Sequence, residues 1–133
     1  YHALGENERA IEDYDEAIRI NSDYAAAFNN RGNANNDLAQ PERALRDYDQ
    51  AIRLNPKDAD VFINRGNTLN ELAQFEKSVE DYGEAIRLNP NYSEAYHNRG
   101  VAYNRLGNYE DSERDFAKVA ELRETVENGP SSV

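Results

Sequence analysis

The sequence has no cysteine, and only two histidines among its 133 residues. A disulfide framework and a thiolate metal site are therefore excluded, and cysteine usage gives no clue to the redox compartment. The histidines, His2 and His97, fall at opposite ends of the chain, so no histidine pair is at hand for a metal. Basic residues are scarce as well: 15 Lys and Arg stand against 26 Asp and Glu, for a net charge of −11 and a pI near 4.6. Binding to phosphates needs a basic patch, which argues against nucleic acid or an anionic membrane as partner and favours neutral or basic ones. No stretch approaches the roughly 20 apolar residues of a membrane span, and the start does not look like a signal peptide. There is no glycine-rich phosphate loop, and Ser78 and Ser112 fall at packing positions. An enzyme needs a nucleophile with its base, or a metal site. The sequence supplies neither, and it reads as non-catalytic, with no cofactor and no metal.

What is present is repetition. Arg31, Arg65 and Arg99 stand 34 residues apart, as do Gly32, Gly66 and Gly100, and Pro56 and Pro90. A fixed period of this size marks a repeat architecture. Three full units, 25–58, 59–92 and 93–126, follow a partial one, 1–24. In the second unit Val61, Phe62, Leu69 and Leu72 recur at helical spacing, and after a turn Val79, Tyr82, Ala85, Ile86 and Leu88 do so again. Each unit is thus predicted to be a helical hairpin. Gly5, Ala39, Ala73 and Gly107 are expected at the turns between helices, and Asn55-Pro56 and Asn89-Pro90 at the ends of second helices. Pro41 opens a helix, where its missing N–H costs little. Gly32, Gly66 and Gly100, with Ala44, Ala51 and Ala85, let helix axes approach while Tyr14, Tyr48, Tyr82 and Phe116 fill the seams. One hairpin cannot bury its apolar face alone, so stability must come from stacking.

Residues 1–127 read as one domain, and 128–133 as a disordered tail beginning at the helix stop Asn128-Gly129-Pro130. Tyr1 aligns with Leu69 and Tyr103, midway along a first helix. The chain is therefore expected to start inside an element, with a stub at 1–4, a turn at Gly5 and a helix from about Asn7 to Ile20. No extra polar helix follows the last unit, so both ends of the stack are expected to be uncovered.

These residues resemble the tetratricopeptide repeat family. An aromatic (Phe28, Phe62, Tyr96) four residues before a glycine, then Leu69 or Tyr103, Ala44, the ring of Tyr48, Tyr82 or Phe116, Ala51 or Ala85, and the closing proline make up most of its signature. The resemblance spans almost the whole chain. It implies an all-α fold, a right-handed superhelix of antiparallel hairpins whose first helices line a concave binding face. Two departures occur together. Arg31, Arg65 and Arg99 stand where family members usually carry leucine, and one helix later come Asp13, Asp47, Asp81 and Asp115. Each arginine is expected to reach an aspartate on an adjacent second helix, in its own unit or the one before, in a ladder of ion pairs. The alternative is that these charges simply face solvent. Asn35 also departs, in the column of Leu69 and Tyr103, and its amide needs a partner there.

The concave face that the resemblance implies is rich in asparagine. Asn30, Asn64 and Asn98 form one column at the repeat spacing; Asn33, Asn67 and Val101 form a second; Asn36, Asn70 and Asn104 form a third. An asparagine amide offers a donor and an acceptor, which suits the N–H and C=O of a peptide group whatever its side chain. Neighbouring helices lie roughly 8–10 Å apart and an extended chain rises about 3.3 Å per residue. One asparagine per unit would then meet about every third ligand residue. A similar ladder occurs in the superhelix of the O-linked N-acetylglucosamine transferase, although no transferase domain is present here. Ile63 and His97, with Val101 and Arg105 nearby, are expected to form a partly apolar spot that reads a ligand side chain. For the first column the alternative is a structural bridge between helices.

Members of the family also hold the acidic C-terminal tails of heat-shock chaperones with lysines, an arginine and asparagines. Asn33 and Asn64 match the asparagines, but Asn29, Glu94 and Asn98 stand at the cationic positions. Glu94, Asp60 and Asp37 would repel a carboxylate, so that tail is not the expected ligand. The reading is a scaffold for a neutral or basic protein or peptide. Its competitor is a self-association module joining uncovered ends into an end-to-end homo-oligomer.

Overall fold

The computed structural model describes residues 2–127, with side chains over 5–124. Among these residues there are seven helices and no strand: α1 (His2–Ile20), α2 (Ala25–Asp37), α3 (Pro41–Leu54), α4 (Ala59–Glu71), α5 (Phe75–Leu88), α6 (Ser93–Arg105) and α7 (Tyr109–Glu127). α2–α3, α4–α5 and α6–α7 are the three hairpins, and the expected tail, 128–133, lies outside the described residues.

The turns inside the hairpins share one geometry. Ala39 and Ala73 have φ of 59° and Gly107 has φ of 79°, the left-handed conformation that closes a helix C-terminus. The amide of the next residue reaches back over the turn, Gln40 to the Asn35 carbonyl, Gln74 to Leu69 and Asn108 to Tyr103, each at 2.9 Å. Between units an asparagine makes the bend. Asn55 and Asn89 cap α3 and α5, and each side-chain oxygen accepts the amide two residues on, from Lys57 and Asn91, both at 3.3 Å. This is a local turn that stops a helix. Arg123 stands at the equivalent place in the third unit, with no proline after it, and α7 runs on to Glu127.

At the first unit the expectation fails. α1 passes unbroken through Gly5, so there is no stub and no turn. The later turns are held by a first helix packed on its partner, and no such helix packs on α1 before Gly5 among the described residues. Continuing the helix adds a hydrogen bond per residue, while a helical glycine costs only about 0.5–1 kcal/mol.

The core repeats with the helices. Phe28, Ala44, Tyr48, Ala51 and Val61 form one cluster and Phe62, Ile63, Tyr82, Ala85 and Ala95 the next, with Ile52 packed against both. The glycines mark the tightest approach: a Cβ on Gly32, Gly66 or Gly100 would lie 2.7, 2.8 or 2.9 Å from a ring carbon of Tyr48, Tyr82 or Phe116. Curvature follows from which helices touch. Among the described residues α2 meets α4 and α4 meets α6, while α1, α3, α5 and α7 do not meet one another. The first helices form the inner layer, with the second helices splayed outside.

Two predictions follow from the backbone. Ala73→Gly removes the left-handed strain of an alanine, worth about 1 kcal/mol, and should raise the midpoint of chemical denaturation. Gly66→Ala forces Tyr82 out of its seam and should lower it by an overpacking cost of about 1–3 kcal/mol. The opposite order of midpoints would contradict both.

Candidate functional site

Each of the three arginines at the repeat spacing reaches the aspartate of its own hairpin. Arg31 meets Asp47 at 2.7 Å, Arg65 meets Asp81 at 2.7 Å and Arg99 meets Asp115 at 2.8 Å. In every case Nε forms a second bond, so the pairing is two-pronged. The aspartates are buried and the arginines half-buried. Each guanidinium also lies 5.4–5.8 Å from the ring of Phe28, Phe62 or Tyr96, which keeps the apolar packing that a leucine would supply. The aspartate hydrogen bond raises all three arginines above the ordinary value. Burial pushes Asp81 upward against the opposing pull of Arg65.

The link to the preceding unit uses a different residue from the one expected. Arg31 also binds Asp15 at 2.8 Å, and Arg65 binds Asp49 at 2.9 Å. Asp13 is exposed and pairs with no arginine among the described residues. Its own-unit arginine would fall before position 1, and two residues of helix turn Asp15, not Asp13, toward α2. Asn35 finds its partner in the same network: it is buried, and its Nδ2 donates to Asp47 at 2.9 Å.

On the inner layer the asparagines bond to one another and to the seams. Tyr48 donates its hydroxyl to Asn33 Oδ1 at 2.5 Å, and Tyr82 donates to Asn67 Oδ1 at 2.6 Å. Burial raises both phenols, so both stay protonated donors through the neutral range. Asn64 Nδ2 donates to Asn29 Oδ1 at 3.0 Å, and Asn98 Nδ2 donates to Asn67 Oδ1 at 2.9 Å. The first column therefore bridges neighbouring first helices at Asn64 and Asn98, while Asn30 is exposed. In the third column Asn36 and Asn70 are half-buried and Asn104 is exposed, with Asn70 Oδ1 3.3 Å from the Ser78 hydroxyl. A cavity of about 400 Å³ opens on this face, lined by Asn67, Asn70, Glu71 and Asn98.

The tyrosine–asparagine bond was not anticipated from the sequence, although a signal for it was there. Where the third unit has Phe116 instead of tyrosine it has Val101 instead of asparagine, so donor and acceptor are replaced together. The expectation for Ile63 is overturned. It is only 2 % exposed, inside the cluster with Phe62, Tyr82 and Ala95, because α6 packs over that position. His97, one unit on, has no following hairpin against it and is exposed, its ring 5.6 Å from Phe116. Val101 is half-buried and Arg105 exposed beside it. Among the described residues no group of three or more potential metal ligands occurs, and no helix is long and apolar enough to cross a membrane.

Family profiles described as TPR repeat match residues 1–38 and 66–107, more than half of the chain. The chain belongs to the tetratricopeptide repeat family. Further tetratricopeptide repeat profiles match 25–58, 47–80 and 93–130. No protein of curated function matches the chain. Among solved structures it is similar to MamA, with 26 % identity and a TM-score of 0.91 over 97 % of this chain and 75 % of that one. It is also similar to the second TPR of Spaghetti (RPAP3), solved bound to the HSP90 peptide SRMEEVD, with 29 % identity and a TM-score of 0.73 over 80 % of this chain and 98 % of that one. The Arabidopsis OM64 TPR domain is 28 % identical, with a TM-score of 0.72 over 74 % of this chain and 81 % of that one.

Removing one partner of a buried ion pair leaves the other unpaired, at a cost of about 3–5 kcal/mol. Asp81→Ala should lower thermal stability accordingly, whereas Asp13→Ala should leave the melting temperature unchanged. Equal effects in a melting experiment would refute the distinction.

Proposed function

We propose that this tetratricopeptide repeat domain is a non-catalytic scaffold that holds an extended, neutral or basic peptide segment on its asparagine-rich inner face. The observation that carries the reading is the cavity lined by Asn67, Asn70, Glu71 and Asn98, which lies on the layer where α2, α4 and α6 meet. Asn30, Asn33, Asn36, Asn64 and Asn104 extend the same amide chemistry along that layer, and His97, Val101 and Arg105 flank it at the third unit. An amide surface recognises main chain, and the acidic edge supplied by Glu71, Glu94 and Asp60 favours a ligand that is uncharged or positive.

The HSP90 peptide belongs to the RPAP3 repeat. Here Asn29, Glu94 and Asn98 replace the cations that such an acidic tail requires, so a peptide ending in that sequence should not bind. A random-peptide display selection on the immobilised domain tests the reading, run beside the Asn36→Ala/Asn70→Ala/Asn104→Ala variant. That column makes no bond between first helices, so circular dichroism of the variant should match the parent. Enrichment of peptides on the parent and not on the folded variant is expected. Enrichment of acidic peptides, or equal enrichment on both proteins, would contradict the site.

A second reading, self-association through the ends, draws on one contrast. Phe116 is 38 % exposed, whereas Tyr82 at the same position of the preceding unit is 0 % exposed because another hairpin covers it. Tyr109 is exposed on the same helix. On this reading sedimentation gives a mass that rises with concentration and falls back to monomer in Phe116→Glu. A constant monomer mass up to millimolar protein would remove it.

A further inference from the structure

We infer that internal hydrogen bonds lock the amides of Asn29, Asn33 and Asn67 with their oxygens turned inward, so that at these three positions the concave face presents fixed N–H donors that read uncharged main-chain carbonyls. The inference rests on the peptide reading above and specifies the polarity of its ligand.

Tyr48 and Tyr82 fix two of these amides. They are 1 % and 0 % exposed, and a buried phenol O–H must find an acceptor. The acceptors are Asn33 Oδ1 and Asn67 Oδ1. The amide oxygen therefore faces the ring, and the NH₂ group points the other way. Asn67 is held twice, because Asn98 Nδ2 donates to the same oxygen. The third amide, Asn29, has its oxygen occupied by Asn64 Nδ2. None of the three NH₂ groups has a hydrogen-bond partner among the described residues, and no buried side-chain nitrogen or oxygen there lacks one. The three NH₂ groups consequently reach solvent with only water to donate to, while the two amide–amide bonds spend the NH₂ groups of Asn64 and Asn98.

A free asparagine is indifferent to orientation, since its terminal torsion is broad and roughly two-fold, and it can meet either side of a peptide group. These three are not free. What they accept from a ligand is lone pairs, and the acidic residues around them decide which kind. Glu71 lines the cavity beside Asn67, and Asp37, Asp60 and Glu94 stand on the same first helices or at their ends. A carboxylate would meet donors and repulsion together, whereas a neutral carbonyl meets the donors alone. The row stops where the chemistry stops. In the third unit Val101 and Phe116 remove the amide and the hydroxyl at once, leaving no oriented donor at that step.

The test uses two probes that share main-chain carbonyls and differ in their main-chain N–H donors. Hexaglycine carries both N–H and C=O groups, while hexasarcosine, its N-methylated counterpart, keeps the carbonyls and has no main-chain N–H within the chain. Binding is followed by NMR through the side-chain NH₂ signals of Asn33 and Asn67. Both probes should move these signals, with dissociation constants within about threefold of each other. Tyr48→Phe/Tyr82→Phe releases the Asn33 amide to turn either way, so it presents its donor about half of the time, while Asn98 still holds Asn67. In that variant hexasarcosine should weaken about twofold relative to hexaglycine. Phe116 shows that a seam accepts phenylalanine, and circular dichroism checks the fold.

Hexasarcosine leaving the Asn33 and Asn67 signals still, binding ten times more weakly than hexaglycine, or keeping its ratio to hexaglycine in the double variant would each overturn the inference. Peptides enriched by display, together with a silent hexasarcosine titration, would keep the groove and discard its polarity. Silence in both experiments would discard both.

Discussion

The approach of a glycine on the first helix to a ring on the second is the constraint on which the rest of the structure depends. With a Cβ-to-ring distance that would fall below 3 Å at all three hairpins, the two helices of a unit are held nearer to each other than side chains of ordinary size allow. That proximity brings an arginine one residue before the glycine within reach of an aspartate one residue before the ring. Arg31, Arg65 and Arg99 pair with Asp47, Asp81 and Asp115 across the same seam. Steric fit and ion pair therefore share one register, and a slip of either helix would break both.

The ladder also explains how a repeat tolerates charge at a position suited to leucine. The guanidinium lies over an aromatic ring on its own helix while its prongs take the carboxylate, so the apolar surface stays covered. Such a pair adds little net stability over a hydrophobic contact, but it is costly to leave half-made. In the first full unit Asn35 adds a third donor to Asp47, and there the polar network goes deeper than in the units after it. This local difference shows how repeats with one backbone can diverge in what they bury.

On the inner layer the same tyrosine that meets the glycine ends in a hydroxyl that meets an asparagine. Packing and surface chemistry are coupled through one side chain: the ring sets the helix spacing, and the O–H sets which way an amide on the concave face points. Asparagine both donates and accepts, yet at Asn33 and Asn67 the core beneath fixes which way the amide points.

The helical hairpins, the turns at Ala39, Ala73 and Gly107, the asparagine stops and the arginine–aspartate columns were all legible in the sequence, because each depends on spacing within one helix or one turn. The joint replacement of tyrosine by Phe116 and of asparagine by Val101 was a signal in the sequence that went unused. Other features lay beyond it. That Arg31 takes Asp15 as its second partner, that Ile63 is covered by α6 while His97 is not, and that α1 continues through Gly5 depend on the relative placement of elements far apart in the chain. Periodicity along one helix shows which residues share a face. Only the packing of helix on helix decides what that face meets, and so which atoms of its amides are left for a ligand.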